Sequence, residues 1–335
     1  MFGVLKKFFL FSGEENSRKF KRSIVISLID ALASALKIPA IMCVLMGVIE
    51  GKDLGKHILG SIAIMAVSIV VGILCKMSST VLQTEGGYTT AAFKRIEMAE
   101  HLRYVPMGYF NSNSIGEIAS VTTNTMENLG DVATRVVMLT TQGLLETSMI
   151  ILMILLCDWR IALVSLAGVA IFLVINTVMQ NAGKQASSAK IDCDTELINQ
   201  IMEYIQGISE VKSYNLIGKQ TKRLNAANEA CVRANVKMEL VYVPYHFLQS
   251  VVTKLTGAAI IGLSACFYIN GSMSVLYAVG MSIAAFMLYG SLETMGTFSS
   301  LIHVVSVCVD KANAVLGLDT MDIDGKELNP ENHDI

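Results

Sequence analysis

The sequence predicts an all-α membrane protein, six transmembrane helices with long extensions into water, and three observations predict it. The chain is 53% hydrophobic and only 16% charged, with mean hydropathy +0.54, where a soluble domain is about 25% charged. Six apolar stretches, residues 23–49, 57–75, 132–156, 161–179, 240–269 and 275–309, reach the ~20 residues that cross a bilayer as helix. In lipid the backbone must satisfy its own polar groups, so helix is the form such stretches take. Their connections alternate in length: short turns at 51–54, 157–160 and 270–274, long polar connections at 76–130 and 180–239.

Residues 1–22 precede the first span. Val4, Leu5, Phe8, Phe9 and Leu10 with Lys6 and Lys7 fit an interfacial helix, apolar groups in the leaflet and lysines among headgroups. The polar run 13–22 that follows has no small-residue cleavage site, so a secretion signal is not expected. The first span carries Asp30 and Lys37, seven residues apart and hence on one helical face, where they could pair. No proline interrupts residues 57–105, so the second span and its arm are expected as one helix of roughly 70 Å. Gly86 and Gly87 are its expected bend. Pro106 stops the arm, and Ser114 with Glu117 reads as a capping box opening the return helix. Between them Tyr109 and Phe110 sit at a tip.

The third span contains Glu146. The fourth continues into a second arm with its tip at residues 203–208, and the return through 209–237 leads to Pro244 at the mouth of the fifth span. His246 and Lys254 lie on that span and Glu293 on the sixth. Ionisable groups inside a bilayer are costly and generally face a bundle interior or watery cavity. Asp30, Lys37, Glu146, His246, Lys254 and Glu293 are therefore the candidate pathway residues, with interhelical ion pairing as the structural alternative. His246 reads more simply as an interhelical hydrogen-bonding group. The seven cysteines are scattered without C-x-x-C spacing and read as small packing groups.

Lys and Arg number six before the first span, four and eight in the long connections, two in the C-terminal tail, and three across the short turns. Positive charge stays cytoplasmic, so both termini and both arms are expected there, in a multi-pass plasma-membrane protein. Arms this long imply contact with a soluble partner.

Two strings carry a resemblance. GYFNSNSIGEI at residues 108–118 resembles the first cytoplasmic loop of ABC transporters with the exporter-type membrane domain, and EYIQGISEVKSYN at 203–215 resembles their second. The resemblance spans nearly the whole chain. It implies that both tips are coupling helices seated in ATP-binding domains, with Tyr109, Phe110, Asn111, Ser112 and Asn113 at the first and Glu203, Tyr204, Ile205, Gln206 and Gly207 at the second. It further implies a homo- or heterodimer of two six-helix halves and a small-molecule or peptide substrate. The family's S-R-x-x-x-D pattern after the first tip is missing: SVTTNT at 120–125 lacks both charges. The Thr-rich stretch 116–126 looks most like bacterial members associated with siderophores, some of which import, so import stands beside export as an alternative.

No catalytic or metal constellation stands out, and G-x-x-x-x-G-K-[ST] is absent: Gly55-Lys56, Gly183-Lys184 and Gly218-Lys219 lack the earlier glycine and the following Ser or Thr. The reading is thus residues 1–22 as N-terminal helix, 23–318 as transmembrane domain, and 319–335 as linker to an ATP-binding domain. That domain is expected on the same polypeptide, with a separate ATPase chain as the alternative; ATP and Mg²⁺ belong to it. A membrane sensor or scaffold that docks a cytoplasmic protein is the rival class. A secondary transporter fits less, because internal repeats and broken helices are not evident, and nothing points to nucleic acid. The 335-residue chain should insert and fold yet release no phosphate from ATP above a mock-purified control, since it has no phosphate cradle or Mg²⁺ site.

Overall fold

Helix is the only regular structure among the described residues of the computed structural model, which are 2–51, 53–213 and 217–321. Six helical segments are long and apolar enough to cross a membrane: Gly13–Ile49, Leu54–Leu102, Ile115–Cys157, Trp159–Gln206, Lys222–Ile269 and Val275–Leu316. They match the six stretches in number and order, and each extends beyond its apolar part.

Helix α1 (Phe2–Phe11) leads into α2 (Gly13–Ala35) and α3 (Lys37–Glu50). These two form the first span, parted at Leu36, because Pro39 has no N–H for the Ala35 carbonyl four residues back. Gly51, at φ 65°, closes α3 in the left-handed conformation that glycine adopts freely. Helix α4 (Leu54–Leu102) is the second span and first arm in one piece, about 74 Å at 1.5 Å per residue.

The helix runs unbroken through Gly86 and Gly87, where the missing side chains serve packing. A Cβ on Gly87 would lie 1.7 Å from Thr134 Oγ1, and one on Gly86 3.2 Å from the Phe20 ring. Their missing side chains let the first and third spans approach the arm.

A single turn at Met107–Tyr109 follows, then α5 (Ser112–Ser120). Its first turn closes when the Ile115 N–H donates to the Asn111 carbonyl. Ser114 thus lies inside the helix, two residues past the start that a capping box would set. The return path widens into π-helical turns at Val121–Thr125 and Leu129–Ala133, either side of α6 (Met126–Asn128), before α7 (Thr134–Cys157). Arg95 on α4 donates to the Thr122 and Thr123 carbonyls at 2.8 and 3.2 Å. One guanidinium therefore ties the arm together where the sequence lacks an ion pair.

The fourth span and second arm are α8 (Trp159–Gln206), started by Asp158, whose carboxylate accepts from the Arg160 N–H. Short α9 (Ile208–Ser213) and long α10 (Ile217–Ile269) follow. Pro244 lies inside α10, which continues through it. The sixth span divides into α11 (Val275–Ser299) and α12 (Ile302–Leu316). There Ser299 and Ser300 hydroxyls donate to the Gly296 and Thr297 carbonyls, competing with the backbone ladder.

Helix α8 packs along α10, α2 along α4, and α7 along α11, while α10 also meets α11. The sixth span is the most enclosed: 44% of its apolar window is buried against 6% for the second span. Ile58, Leu59, Ile62, Ile69 and Val70 of that second span are exposed, as a lipid-facing helix requires. One apolar core gathers Phe172, Ile260, Met281, Leu288, Leu292 and Met295; a second joins Phe8, Phe20, Met98, Met126, Val136 and Ile302 at the base of the arms. Phe8 is thus enclosed by protein and does not dip into the leaflet, and Lys7 forms an ion pair with Asp310 on α12. Cys231 and Cys308 are buried, but Cys157 and Cys266 are exposed and do not pack as expected.

Close helix approach makes a test. A Cβ on Gly143 would lie 2.7 Å from Met295 Cβ and 2.8 Å from the Ser291 carbonyl oxygen. Neither can swing away, so Gly143→Ala should destabilise the protein by about 1–3 kcal/mol, seen as a lower thermal midpoint in detergent. Gly262→Ala, with nothing within 4 Å of its Cβ, should leave that midpoint unchanged.

Candidate functional site

Three of the six charged candidates meet in one place. Asp30 on α2, Lys37 on α3 and Glu146 on α7 line a cavity of about 410 Å³ between the first, second, third and sixth spans. Asp30 and Lys37 line it without a direct ion pair, with the Leu36 break between them. The walls add Lys76 of α4, Gln142, Ser34, Ser68 and Ser291. Glu146 is held in place: Gln142 Nε2 donates to it at 2.9 Å, and the Ser291 hydroxyl donates from α11. A recess of about 280 Å³ shares Lys76, Gln142, Glu146 and Ser291 with this cavity and reaches Thr294.

The chemistry is that of a polar, charge-balanced chamber. Two carboxylates and two ammonium groups face a space roomy enough for several waters, which lowers the cost of keeping them in a membrane. Fixed donors and acceptors of both signs can bind a polar or zwitterionic solute.

Lys254 and Glu293 line a second cavity, about 420 Å³, between α10 and α11. They also form no direct ion pair; Glu293 accepts from the Thr253 hydroxyl at 2.8 Å. The remaining wall is mostly apolar, with Ile261, Phe286 and Tyr289. Gly290 borders both this cavity and the recess beside Glu146, so only α11 stands between the two.

His246 reaches neither cavity. Its Nδ1 lies 3.2 Å from Gln249 Oε1, one turn along α10, and Gln249 Nε2 donates to Asn176 Oδ1 on α8 at 3.3 Å. The Ser299 hydroxyl of α11 donates to that same oxygen. Asn176, Gln249 and Ser299 are all buried, and they join three spans through one acceptor. His246 bonds directly only within its own helix, so the interhelical link runs through Gln249.

The two tips lie at one end of the molecule. Helix α5 packs on α8, so closely that a Cβ on Gly116 would stand 2.5 Å from Asn199 Oδ1. Tyr109 and Phe110 are half-buried and packed edge to face, 6.0 Å between centroids, while Met107 beside them is 80% exposed. Asn111 is exposed; Ser112 and Asn113 open α5, and their side chains lie outside the described residues. At the second tip Glu203, Ile205 and Gln206 are exposed and Tyr204 half-buried on the last turn of α8, with Gly207 at the turn into α9. The short separate helix is therefore 208–213. Glu203 pairs with Arg223 of α10 at 3.7 Å. On α9 the Ser209 hydroxyl donates to Glu210 at 2.9 Å. The residue's own N–H first, and that hydroxyl second, hold the carboxyl below the usual carboxylate range. Tyr214 and Asn215 lie outside the described residues. The segment after α12 returns to this region, where the Met321 N–H donates to the Tyr104 carbonyl at 2.7 Å.

Sequence reasoning missed Lys76, Gln142, Ser291 and Asn176. Lys76 directly follows the apolar stretch 57–75 and reads there as an arm charge. Uncharged Gln, Ser and Asn within apolar runs give no comparable signal.

Six long apolar helices, exposed apolar faces and a charged cavity among the spans together have the build of a multi-pass membrane protein. A family model described as the ABC transporter transmembrane region matches residues 23–292, and the chain belongs to that family. It is accordingly the membrane domain of a transporter, and membership implies an ATP-binding domain as partner. No curated protein matches the sequence.

Removing the shared acceptor tests the buried network. Asn176→Ala would leave Gln249 and Ser299 without it and should cost about 1–3 kcal/mol. His246→Ala, which removes one bond within a helix, should cost less than 1 kcal/mol and leave nucleotide-driven transport intact. A larger transport defect than stability defect at His246 would return it to the pathway.

Proposed function

We propose that this chain is the transmembrane half of an ATP-driven transporter, working as a dimer with a second copy or a paralogue. Both termini and both arms are cytoplasmic in this reading, the tips seat in ATP-binding domains fused or separate, and ATP and Mg²⁺ act there. The observation that carries it is one molecule with a charged chamber in its spans and two tips at the far end of helices continuous with those spans. Helices α4 and α8 extend without a break from the chamber region and core to the arm ends, so displacement of a tip is transmitted to the walls. ATP-driven closure of the partner domains draws the tips together and changes which side the chamber faces.

The chamber around Asp30, Lys37, Lys76 and Glu146 favours a polar or zwitterionic solute, and the Lys254–Glu293 cavity offers a more apolar wall to the rest of it. Such a division suits an amphipathic substrate. A docking scaffold would have no need for four ionisable groups facing a cavity inside the bilayer.

Two substitutions separate coupling from binding in the transporter reconstituted with its ATP-binding domain. Tyr109→Ala with Phe110→Ala should cut substrate stimulation of ATP hydrolysis at least fivefold while the thermal midpoint stays within a few degrees. Glu146→Gln, which preserves shape, should weaken substrate stimulation about tenfold or more and leave basal hydrolysis unchanged. Unaltered stimulation in both variants would remove the proposed roles of the tips and chamber.

A further inference from the structure

A third cavity, about 560 Å³, lies outside everything the transport reading uses. It opens between α1, the start of α2, and α7. Its floor is apolar, with Phe9, Ile24 and Leu144, and its rim carries two lysines, Lys6 and Lys21. Both are exposed and have no carboxylate within 4 Å among the described residues. Their neighbours differ: Lys7 pairs with Asp310, Arg18 with Glu14, and Lys19 with Glu85. Among the described basic residues before the first span, Lys6, Lys21 and Arg22 have no such partner, and two of these three, Lys6 and Lys21, border the groove.

Thr140 supplies an independent observation. It lines the same groove, is fully buried, and its hydroxyl has no hydrogen-bond partner. Thr147 is likewise buried without a partner but does not line the groove, whereas Thr90, Thr122 and Thr134 satisfy their hydroxyl on the carbonyl four residues back. Thr140 does not, and an unpaired buried hydroxyl is costly, so a group that completes it is expected in the groove.

We propose that this groove binds an anionic phospholipid of the cytoplasmic leaflet. One acyl chain lies along Phe9, Ile24 and Leu144. The phosphate sits between Lys6 and Lys21, and a polar oxygen near the glycerol backbone accepts from Thr140. Position favours a lipid over a soluble anion, because Lys21 lies immediately before the first span and the floor continues into the spans. Leu10, 75% exposed at the rim, gives α1 a hold in the surrounding leaflet. Sign favours an anionic headgroup, since the cytoplasmic leaflet carries the negative lipids and each lysine near it adds attraction. The bound lipid would brace α1, which also packs on α12.

Native mass spectrometry of the full chain in detergent tests this. The chain is titrated with phosphatidylglycerol, with phosphatidylcholine of matched acyl chains, and with glycerol phosphate alone. Phosphatidylglycerol should be retained about tenfold more tightly than phosphatidylcholine, and glycerol phosphate should not bind. Lys6→Gln with Lys21→Gln, both on exposed side chains, should erase the preference with an unchanged thermal midpoint. Lys56→Gln, at the other end of the second span, should keep it. Equal retention of the two lipids, glycerol phosphate binding as tightly as the lipid, or a preference that survives the double substitution would each overturn the proposal. Because no nucleotide or partner is involved, failure here would leave the transport reading untouched.

Discussion

The polar face of the sixth span sets the position of the elements around it. Helix α11 touches the third span through Ser291 and Glu146, the fifth through Glu293 and Thr253, and the fourth through Ser299 and Asn176. Each bond ties α11 to a neighbour and pairs a polar group that the surrounding hydrocarbon could not satisfy. Missing side chains allow the approach. Gly143 meets α11 on one side, and Gly296 would place a Cβ 2.8 Å from the Phe172 ring on another. Small residues at helix contacts are how membrane helices gain packing energy without a hydrophobic effect between them.

From this arrangement the chambers follow. The Glu146 recess and the Lys254–Glu293 cavity lie on two sides of α11 and share Gly290. Rotation of that one helix would change both linings together, while its bonds to three neighbours resist independent movement of any of them. In the proposed mechanism the arms are the lever. Their rigidity has local causes: Arg95 bridging α4 to the π-helical return, Lys311 reaching Asp192 and Thr195 of α8, and Glu203 facing Arg223. Individually such contacts contribute little, but they tie α4 to its return path and α8 to both α12 and α10.

Much of this was legible in the sequence, and for a definite reason. Apolar length and the bilayer's demand for internal hydrogen bonding leave helix as the one solution, so the six spans and their order could be read directly. Charges in apolar runs are equally conspicuous, which is why Asp30, Lys37 and Glu146 were found before their meeting was known. Lys254 and Glu293 share a cavity for the same reason. What stayed hidden depends on neighbours that sequence separation conceals. Gly86 and Gly87 read as a bend, and their use as contact surfaces stayed hidden, because a glycine looks the same in either role. Phe8 read as a membrane anchor and is buried among Phe20 and the base of the arms, since an amphipathic face does not declare whether lipid or protein covers it. Ser291 and Asn176 act through partners 145 and 123 residues distant, and Lys76 through a chamber it shares with Asp30 and Glu146, none of which sequence spacing reveals.

The central claim is that nucleotide at the partner domains moves the arm tips, and the distance between the two copies' tips reports it most directly. A spin label can be placed at Ile205→Cys, an exposed site on the last turn of α8, after Cys157 and Cys266, the exposed cysteines, are replaced by Ser. Double electron–electron resonance on the assembled transporter would then compare nucleotide-free protein with protein trapped by ATP and vanadate. The account predicts a shorter tip-to-tip distance in the trapped state, with the change abolished when Tyr109 and Phe110 are alanine. A distance distribution indifferent to nucleotide would contradict it.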